Sequence, residues 1–111
     1  MHVVVIGAGE VGSYVADRLS REGHDVGIID IDREKLHRID RASDVLTVCG
    51  SGTHPDTLRK AGIANAELLV AVTANDEVNL IASMLAKSNG VKRSIVRIEA
   101  AELRGQAGEE V

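Results

Sequence analysis

The sequence predicts an α/β domain: a doubly wound parallel sheet between two layers of helices. Three observations predict it. Short β-branched runs recur at a regular interval, segments of helical periodicity separate them, and a glycine-punctuated turn joins the first run to the first helical segment.

The strand candidates are His2–Ile6, Asp25–Ile29, Val45–Cys49, Glu67–Val72 and Ser94–Ile98. They are nearly continuously apolar rather than alternating, the pattern of strands covered on both faces. In the first helical segment Val11, Val15, Ala16 and Leu19 share one face. The second helix spans about Arg33–Asp40. The third spans about Pro55–Lys60, with Pro55 suited to a first turn. The fourth, Asn75–Asn89, sets Val78, Ile81, Ala82 and Leu85 on one face, and Leu80 and Met84 lie beside that stripe. Gly23, Gly62 and Gly90 fall where three of these helices should stop. Right-handed crossovers through such an alternation place helices on both faces of a five-stranded parallel sheet, in three α/β/α layers. Residues 1–99 form this domain, and residues 100–111 read as a polar tail without a strand signal. A six-stranded nucleotide fold would need one more crossover helix and strand, so both are expected to be missing.

At 111 residues the chain is one domain, and folding hides roughly 65% of its unfolded surface. Apolar residues make up 44% of it and Tyr14 is its one aromatic side chain, so the core must be aliphatic. A single cysteine, Cys49, excludes an intrachain disulfide and suits a reducing compartment. No apolar run approaches the ~18 residues that span a bilayer, and no signal-peptide pattern opens the chain. Thirteen basic against seventeen acidic residues, no Lys/Arg cluster and few stacking platforms argue against nucleic acid as a partner. His2, His24, His37, His54 and Cys49 have no ligating spacing, so no metal site is expected. Ser13 and Ser51 lack a partner base, which leaves hydrolysis unsupported. Cys49 closes a strand and reads as a small core residue; Gly27, inside a strand, suggests close packing against a helix.

The sharpest motif is Val3-Val4-Val5-Ile6-Gly7-Ala8-Gly9-Glu10-Val11-Gly12, a strand followed by G-x-G-x-x-G and an amphipathic helix. Gly7 makes the turn, Gly9 admits a pyrophosphate to the backbone, and Gly12 lets the helix pack on the sheet. The free N–H groups and dipole of the helix N-terminus then face the phosphates. Asp30 ends the second strand eighteen positions after Gly12, where a carboxylate accepts from an adenosine ribose and repels a 2′-phosphate. That favours NAD(H) or an adenine nucleotide over NADP(H), although the nearby Arg33 could hold a 2′-phosphate. Asp32 is placed to cap the second helix. The stretch Cys49-Gly50-Ser51-Gly52-Thr53-His54-Pro55 either wraps an adenine ring or caps the third helix through Thr53. In Val72-Thr73-Ala74-Asn75-Asp76-Glu77, Thr73 or Asn75 can cap the fourth helix, or the segment faces a ligand at the carboxyl end of the sheet.

Together these residues resemble the TrkA-N/RCK (KTN) nucleotide-binding domains of potassium-transport regulators. The most specific blocks are Gly50-Ser51-Gly52-Thr53-His54-Pro55, Ala71-Val72-Thr73 with Asn75-Asp76-Glu77-Val78-Asn79, and Val96-Arg97-Ile98. The resemblance implies a Rossmann-like fold in which Gly7, Ala8, Gly9, Glu10 and Val11 hold the pyrophosphate and Asp30 the ribose. It further places Ser51 near the adenine, Thr73 and Ala74 at the centre of the cleft, and Arg97 on the ligand from the fifth strand. The implied function is regulatory rather than enzymatic. NAD(H), or ATP or ADP, would bind a cytoplasmic domain that gates a membrane potassium transporter or channel, on whose inner face it sits as a dimer or a ring of dimers. The alternative is the cofactor half of an NAD-dependent dehydrogenase. Leu80 and Met84 are the expected dimer contacts.

Overall fold

The computed structural model describes residues 1–100, so residues 101–111 of the expected tail, and with them the expectation about a sixth strand and its crossover helix, lie outside the described residues. The chain runs β1 (His2–Ile6), α1 (Glu10–Arg21), β2 (Asp25–Asp30), α2 (Arg33–Ala42), β3 (Leu46–Cys49), α3 (Pro55–Lys60), β4 (Leu68–Ala71), α4 (Asp76–Ser88) and β5 (Arg93–Val96). All pairings are parallel, in the order β3-β2-β1-β4-β5.

β1 is the central strand, and its side chains alternate between two cores. Val3 and Val5 join Val26, Ile28, Ala16, Leu36 and Ile39 on the face of α1 and α2. Val4 and Ile6 join Ile29, Leu58, Leu69, Ala82 and Ala86 on the face of α3 and α4. This is the doubly wound, three-layer arrangement expected of the sequence. Each fully buried Val or Ile contributes ~1.5–3 kcal/mol relative to exposure, and all four apolar residues of β1 are essentially inaccessible.

Coverage on both faces does not extend to the sheet edges. Leu46 on β3 and Ile95 on β5 are both more than half exposed, because among the described residues each of these strands has a neighbour on one side only. Cys49 is likewise exposed rather than a core residue, its thiol directed to the Ile31 carbonyl. β5 begins one residue earlier than expected and ends at Val96, which places Arg97 just beyond the strand. Val11, expected on the inward face of α1, is exposed, whereas Val15, Ala16 and Leu19 pack on the core as expected and Gly12 is buried with them.

On α4, Ile81 is also exposed. The buried line is Asn79, Ala82 and Ala86, flanked by Val78 and Leu85. Ile81 lies about 100° around the helix from Ala82, so centring the helix on its alanines turns Ile81 outward. A 3-10 turn at Ile63–Asn65, without a sequence signal, fills the gap between α3 and β4. The three helix-stop glycines take left-handed φ values of 90–92° as expected. Gly27 lies against α3: a Cβ there would sit 2.3 Å from the Ala61 carbonyl oxygen.

Arg33, Arg38 and Arg41 line a groove on α2 together with Glu34 and His37, since positions four and eight apart share one helical face. Opposite, Asp17 on α1 accepts from the Ser43 hydroxyl and pairs with Arg21. The Ser43 hydrogen bond, then Arg21, hold the Asp17 carboxyl below the usual carboxylate range.

Candidate functional site

The strand order reverses between β1 and β4: the chain winds outward to β3, then returns to the other side of β1. Such a reversal opens a crevice at the carboxyl ends of the strands. Of the segments that leave the sheet there, those after β1, β3, β4 and β5 each continue the ladder by one bond. Gly7 N–H donates to Ile29 O (2.7 Å), Gly50 N–H to Asp30 O (3.0 Å), Val72 N–H to Ile6 O (2.9 Å) and Arg97 N–H to Ala71 O (2.9 Å). The loops are thereby held to the register of the sheet.

The cleft between them measures about 640 Å³, within the ~300–1,000 Å³ of small-molecule sites. Its lining includes Gly7, Gly9, Glu10 and Val11 from the first loop, Asp30, Ser51, Thr73, Ala74 and Arg97. Ala8 and Gly12 do not line it. Ala8 borders an adjoining hollow with Gly9, Glu10, Ser13, Lys35 and Arg38. Gly12 sits beneath the turn, where a Cβ would fall 1.7 Å from the Gly7 carbonyl oxygen. Gly7 itself needs φ +106°, a left-handed value that L side chains rarely adopt. Beyond Gly9 there is open space: no heavy atom comes within 4 Å of its notional Cβ.

Gly9 is the N-cap of α1 and brings no capping side chain. α2 and α4, in contrast, are capped by Asp32 and Asn75. Asp30 clasps the loop. Its Oδ2 accepts from Ala8 N–H at 2.7 Å and its Oδ1 from Asp32 N–H at 2.8 Å. Each oxygen keeps a second lone-pair direction for another donor. Arg33 lies in the α2 groove and not in the cleft, whereas Lys35 borders both the cleft and the hollow beside Ala8.

Ser51 turns on its own loop, its hydroxyl accepting from Thr53 N–H at 3.1 Å and sharing a hydrogen with Thr53 Oγ1 at 2.8 Å. Thr53 does not cap α3; His54 holds that position, without a side-chain cap. Gly52 packs on Ile6, 2.5 Å from its Cγ2 to a notional Cβ, so the loop lies flat over β1. Across the cleft, the Arg97 guanidinium pairs with Glu99. Asp76 at the start of α4 accepts from Glu99 N–H (3.0 Å) and Ala100 N–H (2.8 Å), which fastens the chain leaving β5.

Sequence reasoning assigned no role to Lys35, to the exposed Ile31 on the cleft wall, or to Asn79 behind it. Asn79 carried a legible signal: it is a polar residue three and seven positions from Ala82 and Ala86, on the buried line of α4. Among the described residues no cluster of His, Cys, Asp and Glu could hold a metal ion, and no helix is long and apolar enough to cross a membrane.

The TrkA-N domain family profile matches residues 3–107. Two similar proteins are both named Trk system potassium uptake protein TrkA. The one from Azorhizobium caulinodans is 43% identical over 90% of this chain and 22% of its own length. The one from Halomonas elongata is 42% identical over 78% of this chain and 19% of its own. The chain thus spans about a fifth of the length of these relatives. Among solved structures, the Shewanella denitrificans Kef CTD in AMP bound form superposes with TM-score 0.70 at 25% identity, over 86% of this chain and 57% of that one. The NAD(P)-binding domain of an exopolyphosphatase-related protein from Archaeoglobus fulgidus superposes with TM-score 0.78 at 21% identity, over 96% and 80%, a likeness of fold. By sequence profile, relatives and Rossmann-like architecture alike, the chain belongs to the TrkA-N domain family.

Proposed function

We propose that this domain binds a nucleotide and regulates a potassium uptake or channel system, acting as a sensor rather than an enzyme. One observation carries the reading: an uncapped helix N-terminus, the open approach at Gly9 and the Asp30 carboxylate converge in one cleft at the sheet's reversal point. In this reading Gly7, Gly9, Glu10 and Val11 receive the pyrophosphate, Ala8, expected among them, is tied to Asp30 instead and holds the loop in place, and Gly12 seats the helix that presents them. Asp30 accepts the ribose hydroxyls through its remaining lone pairs, the Ser51 loop lies along the adenine, and Thr73, Ala74 and Arg97 meet the distal half. NAD(H) is the preferred ligand, with ATP or ADP next. NADP(H) is disfavoured, because Asp30 repels a 2′-phosphate. The AMP-bound Kef relative supports an adenine nucleotide in this fold.

A sensor role accords with the side chains present. Asp30 has both oxygens on backbone N–H groups and Arg97 is paired with Glu99, so neither is poised to move a proton. A regulatory ligand must bind two arrangements of the assembly unequally, since equal affinity shifts nothing. The names of the relatives point to a membrane potassium transporter as the partner. The domain would then sit on the cytoplasmic face through that partner. Exposed Ile81 and Met84 on α4, beside half-buried Leu80, offer the surface for pairing two copies.

Calorimetric titration with NADH, NAD, ATP, ADP and NADPH in parallel tests the ligand. Binding of NADH or an adenosine phosphate well above NADPH is expected, and binding of none of the five overturns the reading. Steady oxidation of NADH on addition of carbonyl compounds would instead favour a dehydrogenase half.

A further inference from the structure

Asn79 is completely inaccessible, yet it lies on a helix line otherwise filled by alanine. Burying an amide is costly unless its polar atoms are matched, and here all are. Oδ1 accepts from Thr73 N–H at 3.0 Å and from the Thr73 hydroxyl at 2.7 Å. Nδ2 donates to Thr73 O at 3.1 Å and to Arg97 O at 2.9 Å. The partners explain the residue. β4 ends at Ala71 and β5 at Val96, and Arg97 N–H makes the last ladder bond, to Ala71 O. Beyond it the backbone groups of Thr73 and Arg97 have lost their strand neighbours. The Asn79 side chain, with one carbonyl and one amide, substitutes for the missing peptide group between the two strands. It bridges them from behind the cleft, whose wall includes both Thr73 and Arg97 but not Asn79.

The bridge touches one half of the cleft only. Asp30 ends β2 and the Gly50–Gly52 loop runs from β3 onto β1, whereas Thr73 and Arg97 stand beyond β4 and β5 on the other side of β1. We infer that Asn79 is a positioning residue that sets the distance between Thr73 and Arg97, and so governs affinity for the distal half of a dinucleotide while leaving the adenosine monophosphate half unaffected. This inference rests on the nucleotide reading of the cleft.

The test titrates the full chain with NADH and with AMP. The variants are Asn79→Ala, which removes the bridge, and Asn79→Asp, which keeps the Oδ1 acceptor but loses the Nδ2 donor. Ala82→Gly, on the same buried line but outside the cleft, controls for lost stability. Asn79→Ala is expected to weaken NADH about tenfold or more and AMP by less than about twofold. Asn79→Asp should shift the NADH-to-AMP affinity ratio in the same direction, and it carries the test if the alanine variant fails to fold. Ala82→Gly, destabilised by helix propensity and packing, should keep the wild-type ratio. An unchanged ratio in folded Asn79 variants, or the same split in Ala82→Gly, overturns the inference while leaving the nucleotide site standing. A wild type that binds neither ligand overturns the nucleotide reading and this inference with it.

Discussion

Alanine at Gly9 and alanine at Gly12 should have opposite consequences, although the two glycines are three residues apart in one motif. Gly9 has φ −74° and ψ −163°, extended values open to alanine, and no atom lies within 4 Å of the added methyl. An alanine N-cap in place of glycine costs about 0.5–1 kcal/mol, and the stiffer unfolded chain returns about 0.4–1 kcal/mol. The two nearly cancel, so the melting temperature should move by no more than about 3 °C. The methyl would nevertheless occupy the space through which a pyrophosphate approaches, and NADH affinity should fall at least about tenfold, ~1.4 kcal/mol. At Gly12 the new Cβ would stand 1.7 Å from the Gly7 carbonyl oxygen and 2.9 Å from its carbon. Both obstacles are backbone, so α1 must shift bodily off the turn. Overpacking of this kind costs about 3 kcal/mol, which lowers the melting temperature by about 12 °C or more. Thermal unfolding followed by circular dichroism, with calorimetric titration of NADH at 25 °C, reads both effects. Wild-type NADH affinity in Gly9→Ala would refute the phosphate-loop geometry, and a wild-type melting temperature in Gly12→Ala would refute the helix-to-turn contact.

Asp30→Ala should weaken NADH much more than NADPH, because removing like-charge repulsion offsets the lost ribose bonds for the 2′-phosphate alone; equal weakening would place Asp30 away from the ribose. The Asp17 carboxyl is held below its ordinary pKa by Ser43 and then Arg21. Its contribution is therefore complete above an unfolded pKa of about 3.9 and is lost as pH falls through the lower folded value. Urea unfolding should accordingly find Asp17→Asn less stable than wild type at pH 7, with the gap closing as pH falls below the ordinary carboxylate range; a gap independent of pH would discount the charge. Sedimentation equilibrium should find wild type dimeric and Ile81→Glu/Met84→Glu monomeric, and a wild type that stays monomeric at high concentration would remove α4 as the interface.

Element types and their order were legible in the sequence because they follow from local rules. Continuous β-branched runs mark buried strands, Pro55 marks a first turn, and glycines at 23, 62 and 90 supply the left-handed residues that stop helices. The phosphate-loop motif and Asp30 were legible for the same reason: turn, helix start and strand end are fixed by near neighbours in the chain. What periodicity could not supply was the rotation of each helix about its axis and the position of each strand in the sheet. Asn79 lies on the alanine line and Ile81 beside it, and only packing against β4 and β5 turned the amide inward and the isoleucine out. Cys49 and Ile95 look like core residues until the strand order puts β3 and β5 at the edges of the sheet that the described residues form. The Asn79 bridge reaches Arg97 across eighteen residues of chain, and Gly27 meets Ala61 only because α3 folds back over β2. Such contacts depend on where distant segments come to rest, and the tertiary structure alone decides that.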